Sequence, residues 1–243
     1  MKCSRFIDGQ PLSKSASGPE VFQQYFCSGC QMAGYDPFEP PFCNACGMKF
    51  NTEASRLHLC GSCLAGRPHA GRVRAGGMYS GILKDAVHLL KYSSRLSLAR
   101  PMGYLLFSAY VQYFSDISRP LLVPIPLHVS KLKHRGFNQS FLIARALSKR
   151  TSANPFRPGG LEIDAHSMIR KRKTPSQTDF SVEQRLRNVK DAFTVVKPGK
   201  IEGRRIVLVD DVYTTGATCN EAANTLLNAG ARSVDTLVAA RAF

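Results

Sequence analysis

Acidic residues are scarce in this 243-residue sequence, and long apolar runs are missing. It has 17 aspartates and glutamates against 33 lysines and arginines, so its formal net charge is +16. Such an excess is typical of proteins that bind nucleic acid or phosphorylated ligands, although a solvated basic surface without a specific partner would produce it too.

Export and membrane signals are missing as well. Residues 1–20 contain basic and small polar residues but no apolar core of a signal peptide. The apolar run at residues 121–127 is too short to span a bilayer and contains two prolines. These absences predict a soluble, cytoplasmic protein with no membrane insertion.

The sequence has no internal repeat, and its length suits one α/β domain with a small extra module. Residues 27–68 are rich in cysteine, proline and glycine and show little periodicity, so metal must order them. From residue 71 onward, apolar residues recur at helix and strand spacing. We therefore predict a cysteine-rich zinc-ribbon module at residues 1–70 and an α/β domain at residues 71–243.

Six of the eight cysteines form three C-x-x-C pairs, Cys27/Cys30, Cys43/Cys46 and Cys60/Cys63. In a reducing cytoplasm, pairs of this spacing hold metal more often than they form disulfides. Two pairs supply the four thiolates of a closed, structural Zn²⁺ site, so three pairs are one too many for one site and one too few for two. Gly47 follows the second pair, as in zinc-ribbon knuckles, which favours Cys43, Cys46, Cys60 and Cys63 as the ligands. Cys27 and Cys30 remain candidates for a second site.

The spacing of apolar residues predicts the main elements of the α/β domain. Helices are predicted from Ser80 as N-cap, at residues 98–113, from Asn138 as N-cap, and at residues 218–228. Strands are predicted at residues 121–125, 193–196, 205–209 and 234–240. The last two strands flank the last helix, and such a unit predicts a parallel sheet. Residues 1–26 are predicted to be irregular, and the very polar residues 168–180 to be mobile.

The most informative stretch is Ile-Val-Leu-Val-Asp-Asp-Val-Tyr-Thr-Thr-Gly-Ala-Thr at residues 206–218. Its strand delivers two carboxylates, Asp210 and Asp211, to the edge where ligands bind in open α/β sheets. The small residues after them open a helix, and the unpaired N–H groups of a helix start bind anions. Gly216 lets the backbone approach such a ligand closely. A simple strand–turn–helix with an N-capping threonine is the alternative explanation.

This stretch resembles the binding motif for 5-phosphoribosyl-1-pyrophosphate (PRPP) of type I phosphoribosyltransferases, with Tyr213 as the one mild departure. The resemblance implies that Asp210 and Asp211 are catalytic residues that contact the ribose hydroxyls, and that Mg²⁺ accompanies the pyrophosphate. It also implies a loop for the 5′-phosphate, formed by Thr214, Thr215, Gly216, Ala217 and Thr218. A second loop, for the pyrophosphate, corresponds in place to residues 124–136, with Lys131, Lys133 and Arg135 as its cations.

Further motifs are Val-Pro-Ile-Pro-Leu at 123–127, Arg-Gly-Phe-Asn-Gln at 135–139, Leu-Lys-Tyr at 90–92, Thr-Pro-Ser-Gln at 174–177 and Gln-Arg-Leu-Arg-Asn-Val-Lys-Asp-Ala-Phe at 184–193. With the cysteine pairs, they resemble the ComF family, several of whose members act in natural transformation and help single-stranded DNA reach the cytoplasm. The family often has four cysteine pairs in a double zinc ribbon. Here Phe6 stands where the partner of Cys3 would fall, so that Cys3, Cys27 and Cys30 would form a weakened three-thiolate site or none.

Three functional hypotheses are compatible with these motifs. The first, which we favour, is a ComF-like factor that binds PRPP or a ribose-5-phosphate-type ligand, single-stranded DNA and competence proteins during DNA uptake. The second is an enzyme that transfers phosphoribose from PRPP to a nucleobase or amine and releases pyrophosphate. The third is a docking role for the zinc module with a vestigial sugar-phosphate site, against which the intact acidic pair argues. The basic residues 170–173 are compatible with a ligand contact or a solvated loop.

Overall fold

A computed structural model describes residues 18–32, 34–50, 58–66, 71–152, 160–173 and 187–243 of the chain. The strands in these ranges are β1 (Val73–Met78), β2 (Leu121–Pro124), β3 (Met168–Arg170), β4 (Phe193–Val195), β5 (Arg205–Tyr213) and β6 (Ser233–Arg241). The helices are α1 (Gly18–Gln24), α2 (Ser28–Gln31), α3 (Gly61–Leu64), α4 (Gly81–Tyr92), α5 (Ala99–Tyr113), α6 (Val129–Arg135), α7 (Gln139–Ser152) and α8 (Ala217–Asn228). Short 3-10 turns lie at Leu96–Leu98 and Pro198–Lys200.

The main sheet contains β1, β6, β5 and β2 in this order, and every pair of neighbours is parallel. This confirms the predicted α/β fold with a parallel sheet. Strands β5 and β6 are longer than predicted, because their pairing continues from Arg205 opposite Ser233 to Tyr213 opposite Arg241. The acidic pair therefore lies within β5, near its carboxyl end, where the hydrogen-bonded ladder holds its backbone.

Both faces of the sheet are covered, as successive side chains of β5 point to opposite sides. Val207 and Val209 are fully buried in the larger core, which includes residues of α5 and α7. Ile206 and Leu208 pack on the other face with α8. The strand that carries the acidic pair is thus fixed by apolar packing on both sides.

The segment before the first cysteine pair contains a helix, which corrects the prediction that residues 1–26 are irregular. Val21 and Phe22 in α1, with Tyr25 and Phe26 just after it, are buried in the same core as α5. Spacings of three and four residues place apolar side chains on one side of a helix. Residues of this segment within the predicted N-terminal module, 21–26, therefore pack into the core of the α/β domain, while residues 1–17 lie outside the described residues.

A separate two-stranded sheet pairs β3 with β4 in antiparallel fashion, with Met168 opposite Val195 and Arg170 opposite Phe193. Met168 is buried, so the beginning of the segment predicted to be mobile is a packed strand. Residues 174–180 of that segment lie outside the described residues. An isolated bridge between His128 and Arg170 joins this two-stranded sheet to the chain that follows β2.

Residues 124–136, predicted to be a basic loop, contain the short helix α6. His128 caps it, because its Nδ1 accepts a hydrogen bond from the backbone N–H of Ser130 at 3.2 Å. The helix ends at Gly136, which adopts a φ of 80°. In the part of the chain that the structure describes, no helix has the length and apolar character needed to cross a membrane.

Candidate functional site

A cleft of about 380 Å³ opens at the carboxyl ends of β2 and β5. Ligands bind at this edge in open α/β sheets. The charged and hydroxyl side chains that line the cleft are Asp210, Asp211, Thr214, Thr218, Ser140, Lys91, Lys131, Arg135 and Arg170. The predicted acidic pair, part of the threonine loop and several cations thus meet in one space.

Asp210 is buried at the base of this cleft and held by two donors. Ser140 Oγ, at the start of α7, donates to its Oδ1 at 2.7 Å, and the backbone N–H of Asp211 donates to the same oxygen at 2.9 Å. Burial, with the neighbouring charge of Asp211, raises the pKa of Asp210 to about 7, although Lys91 and Ser140 act in the opposite direction. Near neutral pH this carboxyl is therefore divided between its protonated and ionised forms.

Asp211 pairs with Lys91, whose Nζ lies 2.7 Å from Oδ2. The backbone N–H of Val212 donates to its other oxygen, Oδ1, at 2.8 Å. Burial tends to lower the pKa of Lys91, but attraction by Asp211 and Asp210 outweighs burial and raises it. Lys91 therefore remains charged and balances one of the two acids, a role that its place in the Leu-Lys-Tyr motif did not reveal.

The loop after the acids depends on Gly216, which caps the N-terminus of α8 with a φ of 81°. A Cβ at this position would lie 2.1 Å from Tyr213 Oη, so the tyrosine ring and the backbone conformation both require glycine. The helical hydrogen-bond pattern begins at Asn220, whose N–H donates to Gly216 O at 2.8 Å. The amides of residues 217–219 precede this pattern, at the end of a helix where unpaired N–H groups are suited to bind an anion.

The five predicted residues of the phosphate loop differ in their placement. Thr214 and Thr218 line the cleft. Thr215 turns toward the helix start, where its Oγ1 accepts a hydrogen bond from the N–H of Ala217 at 3.4 Å. Thr215, Gly216 and Ala217 shape the loop without contributing to the cleft lining.

The three predicted pyrophosphate cations also differ in their placement. Lys131 and Arg135 line the cleft, whereas Lys133 is exposed and lies outside its lining. Burial lowers the pKa of Lys131, and repulsion by Arg170, Arg135 and Lys91 lowers it further. Four cations therefore crowd one small space, which is a physical reason to expect an anionic ligand there.

Arg170 is a further cleft cation, from the basic residues 170–173 for which the sequence left a ligand contact or a solvated loop open. The bridge to His128 sets β3 beside the end of β2, and this contact brings Arg170 to the cleft. Its guanidinium lies over the ring of Phe193, 5.3 Å from the centroid. Burial lowers the pKa of Arg170, while the charge of Asp210 acts in the opposite direction. The sequence carries little signal for this strand, because only two apolar residues, Met168 and Ile169, precede the basic residues 170–173.

Three aromatic rings form another part of the cleft lining, those of Tyr79, His88 and Tyr92. Tyr79 Oη and His88 Nε2 lie 2.9 Å apart, and the two rings stack with centroids separated by 6.3 Å. The ring of Tyr92 lies 5.6 Å from that of His88, with Arg135 5.8 Å from the Tyr92 centroid. Tyr92 is 66% exposed, so a planar surface is available beside the acidic pair.

The cysteine cluster forms beside the sheet from Cys43, Cys46, Cys60 and Cys63, whose sulfur atoms all lie within 4.8 Å of one another. Three sulfur–sulfur distances measure 3.6, 3.6 and 3.4 Å. Zinc–sulfur bonds of about 2.3 Å in a tetrahedron separate the sulfurs by roughly 3.8 Å. The cluster therefore has the donors and the size for a metal ion such as zinc.

Cys27 and Cys30 lie apart from this cluster, at and within α2. Cys3, their predicted companion in a weakened second site, lies outside the described residues. The seven described cysteines are free of disulfides.

Arg241, the last residue of β6, connects the cysteine cluster to the threonine loop. It is buried, and its Nε donates to the carbonyl oxygen of Cys46 at 3.2 Å. Its Nη1 donates to the carbonyl oxygens of Tyr213 at 3.2 Å and Thr214 at 2.8 Å. The guanidinium also lies 4.7 Å from the centroid of the Tyr213 ring. One side chain therefore ties the second cysteine pair to the loop beside the acidic pair.

The sequence of this chain is similar to those of known proteins. Residues 138–242 match the family described as Phosphoribosyl transferase domain. DNA utilization protein YhgH of Escherichia coli (strain K12) is 33% identical over 212 residues, which cover 86% of this chain and 86% of that protein. Competence protein F of Haemophilus influenzae is 30% identical over 222 residues, 89% of this chain and 90% of the relative. Competence protein ComFC of Bacillus subtilis is 29% identical over 152 residues, 63% of this chain and 56% of the relative. As the motifs predicted, the chain belongs to the ComF family.

Proposed function

We propose that the chain binds PRPP, as its magnesium complex, in the cleft at the ends of β2 and β5. The observation that carries this proposal is the meeting of a buried acidic pair, a threonine loop at a helix start and four crowded cations. PRPP has ribose hydroxyls, a 5′-phosphate and a pyrophosphate, and therefore offers a partner to each of these three parts.

Each part of the ligand has a physical match in the cleft. Asp210 and Asp211 accept hydrogen bonds from the ribose hydroxyls, while Thr214, Thr218 and the amides of residues 217–219 hold the 5′-phosphate. The pyrophosphate lies among the cations, where its charge relieves their mutual repulsion. Mg²⁺, which prefers phosphate and carboxylate oxygens, neutralises part of the remaining negative charge when it is bound.

Calorimetric titration of PRPP with Mg²⁺ tests the site. Wild-type protein is expected to bind at one saturable site, and the variant Asp210→Asn/Asp211→Asn to lose affinity by about 10²–10⁴-fold, because a hydrogen bond to a charged group contributes about 1.5–3 kcal/mol. Asparagine at position 210 keeps an oxygen that can accept from Ser140 and from the backbone. At position 211 it removes the charge that pairs with Lys91, so a melting curve of the variant accompanies the titration.

The matched control neutralises two exposed acids outside the cleft, as Asp85→Asn/Glu202→Gln. This control is expected to bind PRPP as the wild type does. Absence of binding by the wild type, or equal binding by the acidic-pair variant, would contradict the proposed site.

The raised pKa of Asp210 predicts a pH-dependent affinity. With a pKa of about 7, the ionised fraction of this carboxyl rises about tenfold between pH 6 and pH 8, and PRPP affinity is expected to rise by the same factor. The stability of the free protein has the opposite pH dependence. The folded state holds this proton more tightly than the unfolded state, so the free energy of unfolding falls as the pH rises from about 3.8 to about 7. Calorimetric titration of PRPP at pH 6, 7 and 8 measures the predicted rise in affinity. Asp210→Asn should keep only the pH dependence of the ligand's own phosphates, and a full tenfold rise in this variant would refute the assignment.

We propose that the chain handles incoming single-stranded DNA in the cytoplasm and that competence proteins are its partners. Relatives named for competence and DNA utilization support this role, as does the net charge of +16. Cysteines that are free of disulfides are typical of a reducing compartment.

The second candidate function is transfer of the phosphoribosyl group to a nucleobase or amine. In that reaction, the bond from the anomeric carbon to pyrophosphate breaks and a bond to the acceptor nitrogen forms, while the acceptor nitrogen loses a proton. The exposed ring of Tyr92 favours it, because a planar base could stack there beside the ribose site. Pyrophosphate release measured over a panel of nucleobases and amines decides between binding alone and transfer.

A further inference from the structure

A second groove, of about 780 Å³, lies along α5 and α7 and shares no lining residue with the PRPP cleft. The cations Arg100, Arg145, Lys149 and Arg150 line it, together with Tyr25 and Tyr104. No acidic side chain is among its described lining residues. A concave surface with charge of one sign raises the local concentration of a polyanion.

The positions of three exposed cations add to this argument. Arg145 and Lys149 lie one turn apart on α7, a spacing at which like charges repel each other. Arg100 is also exposed and lines the same groove from α5. A ligand that carries several phosphates would bridge these cations and relieve their repulsion.

The fourth cation, Arg150, lies over two partly buried aromatic rings. The guanidinium of Arg150 lies 5.5 Å from the ring centroid of Tyr104 and 5.1 Å from that of Phe107. Its Nε is buried and has no hydrogen-bond partner among the described residues. Leu96, which also lines the groove, is 46% exposed. Aromatic rings and guanidinium planes are the surfaces on which unpaired bases stack.

We infer that this groove, which we call the α5–α7 groove, binds single-stranded nucleic acid. Its cations track the phosphodiester backbone, and bases stack near Tyr104 and Arg150. Bases of a duplex are stacked on each other and paired, so a single strand fits this combination of cations and rings and a duplex does not. The inference rests on the proposed role in DNA handling and assigns the DNA to a surface separate from the PRPP cleft.

Fluorescence anisotropy with a labelled dT20 strand tests this surface in the full chain. Arg145→Gln/Lys149→Gln is expected to weaken binding by at least about tenfold. It should also lower the slope of log K against log salt by about 1.4, because each phosphate that the protein no longer neutralises lowers the slope by about 0.7. The matched control is Lys197→Gln/Lys200→Gln. These lysines are exposed in the turn whose Ile201 packs on the opposite face of the sheet, and the control should bind dT20 as the wild type does.

Two further ligands test the chemistry of the groove. An abasic strand with the same number of phosphates, and a duplex of the same length, are each expected to bind at least about tenfold more weakly than dT20. Equal binding of either ligand would overturn the inference, as would an equal loss of affinity in the lysine control or no binding of dT20 by the wild type.

PRPP titration separates this inference from the proposed cleft. Arg145→Gln/Lys149→Gln is expected to bind PRPP with unchanged affinity. If the wild type binds dT20 through the groove but does not bind PRPP, the cleft proposal fails alone. If the wild type binds PRPP but the groove substitutions leave the affinity for dT20 unchanged, the groove inference fails alone.

Discussion

Replacing Gly216 by alanine is expected to abolish measurable PRPP binding and to lower the melting temperature by about 4–8 °C. An alanine with a φ of 81° is strained, and its Cβ would lie 2.1 Å from Tyr213 Oη and 2.4 Å from Cζ. The ring and the loop must therefore both shift, and together these effects should cost about 2 kcal/mol of unfolding free energy. Because the start of α8 moves with the loop, the amides of the proposed phosphate site lose their positions.

Gly203→Ala is the matched control for this substitution. Gly203 has a φ of 69°, but a Cβ there would meet no atom within 4 Å. We expect backbone strain of about 1 kcal/mol from this variant and an unchanged affinity for PRPP. If both alanine variants bind PRPP equally well, the close contact between Gly216 and Tyr213 does not shape the binding loop.

In protein loaded with zinc, chelation of the metal is expected to loosen the threonine loop as well as the cysteine cluster, which has the donors for such an ion. Binding of structural zinc contributes a free energy on the order of 10 kcal/mol to the folding of the segment that holds its ligands. The carbonyl oxygen of Cys46 accepts a hydrogen bond from Arg241. Arg241 also donates to the carbonyl oxygens of Tyr213 and Thr214. Hydrogen exchange after chelation should therefore rise in residues 43–47 and in residues 213–218, and PRPP affinity should fall at least about tenfold.

The variant Arg241→Lys tests the connection between the cysteine cluster and the threonine loop without removal of the metal. A lysine keeps the charge but has no planar fork to reach carbonyl oxygens on both sides. We expect this variant to retain its metal, measured as zinc per chain, while exchange in residues 213–218 rises. Unchanged exchange in those residues, both in Arg241→Lys and after chelation, would show that the cluster and the loop are independent.

The sequence predicted the C-terminal β5–α8–β6 unit well because its signals are local. An apolar run ends in two acids, small residues open a helix, and a second apolar run follows. The end of β5 was placed too early, because charged residues usually mark the end of a buried strand. Here the ladder between β5 and β6 continues through Asp210, since backbone pairing does not depend on the side chain.

Contacts between distant segments were beyond a local pattern. Lys91 reaches Asp211 from α4, and Arg170 reaches the cleft from β3, which the bridge to His128 holds beside the end of β2. Arg241 meets Cys46 across 195 positions of the chain. Each of these positions depends on how the elements pack. The sequence could therefore name the acids, the loop and the cations Lys131 and Arg135, but it assigned no role in the site to Lys91 or Arg241 and left that of Arg170 open.

The position of Tyr213 shows how a departure from a motif can be informative. Aliphatic residues are usual at this position in the PRPP motif that the stretch resembles. The ring packs in the cluster that contains Phe38 and Phe42, which lie just before the second cysteine pair, and it also contacts Gly216 and Arg241. The larger side chain therefore joins the cysteine-rich segment to the loop.

A crystal structure of the protein with PRPP and Mg²⁺ tests the proposed site most directly. We predict that the 5′-phosphate lies about 3 Å from the amides of residues 217–219 and that the ribose hydroxyls contact Asp210 and Asp211. The pyrophosphate should lie among Lys131, Arg135 and Arg170. A ligand bound elsewhere, or one whose ribose lies away from the acidic pair, would contradict the proposed site.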